Sequence, residues 1–104
     1  MVLWVNKWNI HPDKVEAYME FVKGALPRVL AAPGLVEFRA YRPVTGTSQI
    51  VALYEFADMA AWATWYENQD IQDIYGELRT LATDISTELW GPSPVVPEPI
   101  RPGT

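Results

Sequence analysis

Asn6 is the side chain of this sequence that packing alone explains least well. It lies in Val2-Leu3-Trp4-Val5-Asn6-Lys7-Trp8-Asn9-Ile10, a run of β-formers without Pro or Gly, and therefore on a strand. Side chains two apart share a strand face, which sets Asn6 among Val2, Trp4, Trp8 and Ile10. A primary amide in that company costs about 1–3 kcal/mol unless its donors and acceptor are met. Either a neighbouring helix or loop backbone meets them, or the amide is kept for a ligand. Trp4 and Trp8, on the same face, are candidate ligand-contacting side chains in the second case.

Other residues with chemical potential are aromatic. Trp62 and Trp65 stand at i and i+3, so both can face one side of a helix, as core or as the wall of a pocket. Tyr75 is one turn from Ile71 and Leu78 and can present its hydroxyl to a pocket. Tyr54 shares a strand face with Ile50, Ala52 and Phe56. His11 is the single histidine and the natural proton carrier near neutral pH, but it precedes Pro12 at a strand end, where solvent is the ordinary environment. Glu37, Arg39 and Tyr41 alternate along one strand face and fit cross-strand or interface ion pairing. One histidine with no Asp/Glu cluster at ligand spacing builds no metal site. Phosphate-binding glycine loops, dinucleotide fingerprints and hydrolase triads are absent from the sequence.

Several elements must hold these residues in place. The first strand ends at His11-Pro12, and Asp13 with Glu16 has the spacing of a capping box. A helix is expected from there to about Ala32, with Val15, Met19, Val22, Leu26 and Val29 as its apolar stripe. Pro27 predicts a kink near Lys23-Gly24. Leu35 to Arg42 and Gln49 to Phe56 read as strands joined by a Pro- and Gly-containing turn, hence an antiparallel hairpin. Asp58 is a suitable N-cap for the helix bearing Trp62, Trp65 and Tyr66. A break is expected at Asn68-Gln69-Asp70, followed by a helix with Ile71, Ile74, Tyr75, Leu78 and Leu81 at helical spacing. Ile85 to Trp90 is the fourth candidate strand. The fold class is therefore α+β, a ferredoxin-like β-α-β-β-α-β domain over residues 1–90. Residues 91–104, with five prolines, form a Pro-rich tail that lies extended over a partner or free.

The chain has 104 residues, 49% of them apolar, with five Trp and five Tyr. So small a domain cannot hide that much large apolar surface alone, and the excess must line a pocket, a subunit interface or both. The first strand carries apolar residues on both faces, Leu3 and Val5 against Trp4 and Trp8. A second copy of the sheet would cover the outer one, giving a homodimer with a barrel at its two-fold interface. A net charge of −5 disfavours nucleic acid and anionic membranes as partners. The absence of cysteine, of a leader-like segment and of a membrane span points to a cytoplasmic protein.

Four segments carry a resemblance. They are Val5-Asn6-Lys7-Trp8-Asn9-Ile10, Ala32-Pro33-Gly34-Leu35, Leu53-Tyr54-Glu55-Phe56 and Ala61-Trp62-Ala63-Thr64-Trp65. Together they resemble the antibiotic-biosynthesis-monooxygenase-like group of dimeric α+β barrel proteins, over roughly residues 2 to 90. The resemblance implies a pocket between sheet and helices. It also implies, for some members, oxygenation of aromatic or quinol-like molecules without metal or flavin, the substrate carbanion reducing oxygen directly. An Asn on the first strand and a Trp on the second helix are implicated in such members. Asn6 matches the first; Trp65 matches the second, with Trp62 as its substitute. On this basis Asn6 would hold the substrate oxygen, Trp65 would wall the ring, and Tyr75 or His11 would handle a proton. Trp4, Trp8, Trp62 and Tyr54 would contact the substrate. No cofactor is expected: the related haem-degrading branch uses an axial His where this chain has Tyr75. Rival readings are a non-catalytic small-molecule-binding or stress-related dimer, and a non-redox isomerase or decarboxylase on the same scaffold.

Overall fold

The computed structural model describes residues 1–103. Its elements are β1 (Val2–Ile10), a 3-10 turn (Pro12–Lys14), α1 (Val15–Ala31), β2 (Leu35–Tyr41), β3 (Ile50–Phe56), α2 (Met59–Glu67), α3 (Gln69–Leu81) and β4 (Ala82–Trp90). All strand pairs are antiparallel and the sheet order is β2-β3-β1-β4. This is the ferredoxin-like α+β arrangement, with the second helical unit divided in two. The division falls at Asn68, whose side chain accepts from the Asp70 amide at 2.9 Å and so caps α3. Asp58 caps α2 in the same way, through the Ala61 amide at 2.8 Å.

Three local expectations change. The capping box at Asp13 does not form: Asp13 lies in the 3-10 turn, and α1 starts at Val15 without a side-chain cap. Pro27 lies inside α1 without ending it, although it forfeits one backbone hydrogen bond. The buried face of α1 is Tyr18, Ala25 and Val29, with Phe21 and Val22 packed beside it, whereas Val15, Met19 and Leu26 are exposed. The predicted stripe is thus rotated by about one residue, because α1 is apolar around more than one face. The third change is at β4, which begins at Ala82, directly after α3. A bulge between Lys7 and Asn9 of β1 and a positive φ of 55° at Asp84 let the chain turn from helix to strand without a loop.

The three helices cover the sheet face that bears Val2, Trp4, Asn6 and Trp8, and the core lies between. Gly34 makes that packing possible: its φ is +108°, and a Cβ there would stand 2.6 Å from the Ala61 carbonyl oxygen. The opposite sheet face carries Leu3, Val5, Lys7, Val51 and Leu53. Val5 at its centre is 1% exposed, while Tyr41 and Trp90 at its margins are about half exposed, at 49% and 46%. Residues 91–103 form no helix or strand and are exposed throughout. They contribute to a radius of gyration of 15.1 Å, against about 13 Å for a compact chain of this length. Among the described residues no helix is long and apolar enough to cross a membrane.

Candidate functional site

The alternation of β1 puts Asn6 at the middle of the helix-facing sheet surface, opposite Ala52 of β3 and Thr87 of β4. It is 0% exposed and the only polar side chain among the buried residues of the described chain apart from aromatic edges. The helical period of α3 brings Tyr75 down onto it. The Tyr75 hydroxyl donates to Asn6 Oδ1 at 2.5 Å and accepts from Trp4 Nε1 at 2.8 Å. With its oxygen taken up by Trp4, the tyrosine's own proton is free for the amide oxygen, which fixes the orientation of Asn6. Its Nδ2 group then has no protein partner. Trp62 Nε1 is the other buried side-chain donor without one.

Next to this pair, under α1 and α3, is a cavity of about 190 Å3. Trp8, Tyr18, Phe38, Ala52, Tyr54 and Tyr75 are among its lining residues, and the remainder are apolar. Its phenols are held in the protonated form. Burial pushes the Tyr75 hydroxyl well above the ordinary tyrosine range, and the neighbouring Tyr54 reinforces the shift. Burial likewise pushes Tyr54 up to about 12, opposed by its hydrogen bond with Tyr75. Tyr18 is raised by burial, opposed by the hydrogen bond that it accepts from Trp8 Nε1 at 3.1 Å. Tyr54 and Tyr18 can donate hydrogen bonds to a ligand oxygen at neutral pH, while the Tyr75 proton is engaged by Asn6. None of them can serve as a base there.

Of the sequence candidates, Tyr75, Trp8 and Tyr54 line the cavity, while Asn6 and Trp4 do not line it and are tied to it through the Tyr75 hydroxyl. Three other candidates stand elsewhere. Trp65 is 0% exposed and does not line the cavity. Its ring packs on Tyr54 and Phe56 with centroids 5.0 and 5.3 Å apart, and its N–H donates to the Val29 carbonyl at 3.3 Å. That is the environment of a core residue whose polar edge is satisfied. Trp62 stacks on Tyr66 at 5.2 Å and tilts against Trp4 at 5.3 Å, behind the Asn6–Tyr75 pair. His11 lies away from the cavity. Its Nδ1 accepts from the Asp13 amide at 3.3 Å and its own amide donates to the Leu81 carbonyl at 2.9 Å. Pro12 forces a turn directly after it, so the ring caps that turn. Tyr18 and Phe38 were missed. The signal for Tyr18 was its fit to the alternative stripe of α1, Tyr18-Val22-Ala25-Val29.

Among the described residues no group of three or more His, Asp or Glu is placed to hold a metal ion. Residues 1–76 match the family model described as antibiotic biosynthesis monooxygenase. The chain belongs to the antibiotic biosynthesis monooxygenase family. Solved structures share the fold. SnoaB, a cofactor-independent oxygenase from Streptomyces nogalater, is 21% identical, covers 93% of this chain and 97% of its own, and superposes with a TM-score of 0.72. A protein described as an antibiotic biosynthesis monooxygenase is 13% identical over 90% of this chain and 100% of its own, with a TM-score of 0.74. A dabb-family protein with a ferredoxin-like fold from Mesorhizobium loti reaches 0.78 at 16% identity, over 88% of this chain and 96% of its own. At these identities the likeness is one of fold. Curated protein sequences offer no match to this family member.

Proposed function

We infer that this family member is a homodimeric, cofactor-independent oxygenase acting on a small aromatic or quinol-like molecule held between sheet and helices. The observation that carries the reading is the Asn6 amide: fully buried, oriented by Tyr75, and left with an unpartnered N–H donor one residue behind the cavity wall, against Tyr75 and Ala52, which do line it. A buried amide hydrogen without a partner is costly, and an anionic oxygen is the partner that would gain most from it. The cavity volume suits an aromatic ring, since a site of about 150 Å3 already admits benzene.

The chemistry asks little of the protein beyond placement. A ring CH2 activated by a neighbouring phenol or ketone loses a proton, and the carbanion passes one electron to O2. The two radicals then combine in a peroxide, which loses water to leave a carbonyl. Atoms balance as CH2 + O2 → C=O + H2O. Asn6 would hold the oxygen on which the carbanion's charge rests. Tyr75, kept protonated, would hold Asn6 in position. No carboxylate or histidine is among the cavity-lining residues, so the proton leaves to water and the rate is expected to rise through the substrate's own pKa.

The test is oxygen consumption with anthrone- and quinol-type substrates. Asn6→Ala is expected to lower kcat about 100-fold, as loss of one oxyanion donor does elsewhere, while Tyr75→Phe lowers it less. Equal turnover by Asn6→Ala and the unaltered chain would remove the proposed role. The lack of a base in the lining also favours a second reading, a non-catalytic binding dimer, which predicts that the ligand stabilises the fold and is recovered unchanged. An isomerase or decarboxylase has less support, because His11, the base it needed, caps a turn. The same proposal pairs two chains through the sheet face that no helix covers, where Tyr41 and Trp90 are half exposed, and places them in the cytoplasm.

A further inference from the structure

A second recess, of about 290 Å3, lies between α3 and the edge strand β4, lined by Tyr66, Tyr75, Arg79, Ile85 and Thr87. Tyr75 is common to it and to the apolar cavity. The lining residues differ sharply in kind: here there are three hydroxyls and a guanidinium, with Ile85 and the Tyr66 ring as apolar walls. Tyr75 and Arg79 are one helical turn apart and so face the same way. Asn6 stands at the boundary, since its β3 neighbour Ala52 lines the cavity and its β4 neighbour Thr87 lines the recess. The chain has 13 acidic residues against 8 Lys and Arg. Among the described residues no carboxylate forms an ion pair with Arg79, nor with Lys7, Lys14 or Arg42, whereas Lys23, Arg28 and Arg39 each have one.

An unpaired guanidinium in an acidic chain, set among hydroxyl donors and next to a buried N–H that lacks a partner, is suited to an oxyanion. We propose that this recess binds the carboxylate of an aromatic acid. Arg79 reads the charge, and the hydroxyls of Thr87 and Tyr66 donate to it. Ile85 and the Tyr66 ring flank the carboxylate end, and the flat body of the molecule lies on the cavity side of Tyr75, which lines both spaces. The proposal narrows the ligand class of the preceding reading to acids and depends on that reading for any chemistry, but not for binding.

Calorimetric titration of the full chain with 2-naphthoate and with 2-acetonaphthone, its uncharged counterpart of the same shape, tests it. The acid should bind at least about ten-fold tighter at low salt, and the preference should shrink as salt rises. Arg79→Gln should bring the acid's affinity down to that of the ketone, while Arg79→Lys keeps part of the preference. Arg79 is exposed, so these variants should fold; circular dichroism checks that, and Lys23→Gln serves as a distant charge control. Equal affinities, a preference that survives Arg79→Gln, or no binding of either probe at millimolar concentration would each overturn the site. Charge-selective binding without oxygen uptake would leave this site standing and remove the oxygenase. Oxygen uptake with neutral quinols that Arg79→Gln does not alter, together with equal affinities for the two probes, would do the reverse.

Discussion

The cavity and the edge recess lie on either side of one residue, and they solve opposite problems. On the α1 side Tyr75 meets Tyr54, Ile71, Ile74 and Leu78 in a space lined by apolar side chains. On the β4 side it meets Arg79 and Thr87 at an exposed margin. Burial in the first environment makes ionisation of the tyrosines unfavourable, so the cavity offers shape and neutral donors only. The second is hydrated enough to keep a cation without a partner. What separates the two is position in the sheet. Asn6 is on a central strand and covered, whereas Thr87, directly opposite in the ladder, is on an edge strand that the helices leave open.

The largest effect is expected where the closed side depends on one side chain. Trp65→Ala removes the largest fully buried residue and leaves the Val29 carbonyl without its donor. The expected loss is about 3–5 kcal/mol, a large part of the stability of a domain this size, measured by urea unfolding. Trp65→Phe should recover much of it. A loss below about 1 kcal/mol for Trp65→Ala would mean that the core on which Tyr54 rests is not tightly packed, and the contrast with the β4 side would fail. Alkaline unfolding is the next in size. Tyr54 has a folded-state value of about 12 against an ordinary value of 10.0, so its contribution is complete below pH 10 and is lost as pH rises through 12. Two units correspond to roughly 3 kcal/mol. Tyr54→Phe should therefore flatten the fall of stability between pH 10 and 12; an unchanged slope would show that this phenol is not shielded.

The difference between closed and open sides also explains what could be read from the sequence. Asn6 was legible because a two-residue period puts an amide among Trp4 and Trp8, an inconsistency visible without coordinates. Asp58 and Asn68 were legible as stop and start signals for the same reason, each being a polar residue at the margin of an apolar run. The phase of α1 was not, since Val15-Met19-Val22-Leu26 and Tyr18-Val22-Ala25-Val29 are equally periodic, and only the sheet decides which side is covered. His11 carried the right chemistry in the wrong place: a ring nitrogen is equally able to cap a turn, and Pro12 supplied the turn. The recess was invisible because it depends on the β1–β4 register, which sets Thr87 against Asn6, and on a β4 start at Ala82 made possible by the bulge and Asp84. Tyr75 and Arg79 at i and i+4 were its one trace in the sequence.

The smallest expected effect is also the most discriminating for the comparison. Thr87→Val keeps the volume and the β-branch, so on an exposed edge position it should change stability by no more than about 0.5 kcal/mol. Removing one neutral hydroxyl donor should nonetheless weaken 2-naphthoate binding by roughly three- to ten-fold, the equivalent of a single hydrogen bond, and Thr87→Ser should restore it. Binding of 2-acetonaphthone should barely move, because it brings no negative charge to the recess. If both probes weakened together, Asn6 and Tyr75 would not separate two environments, and the cavity and recess would act as one chamber. If the acid alone weakened, the partition would hold, with the carboxylate on the β4 side of Tyr75.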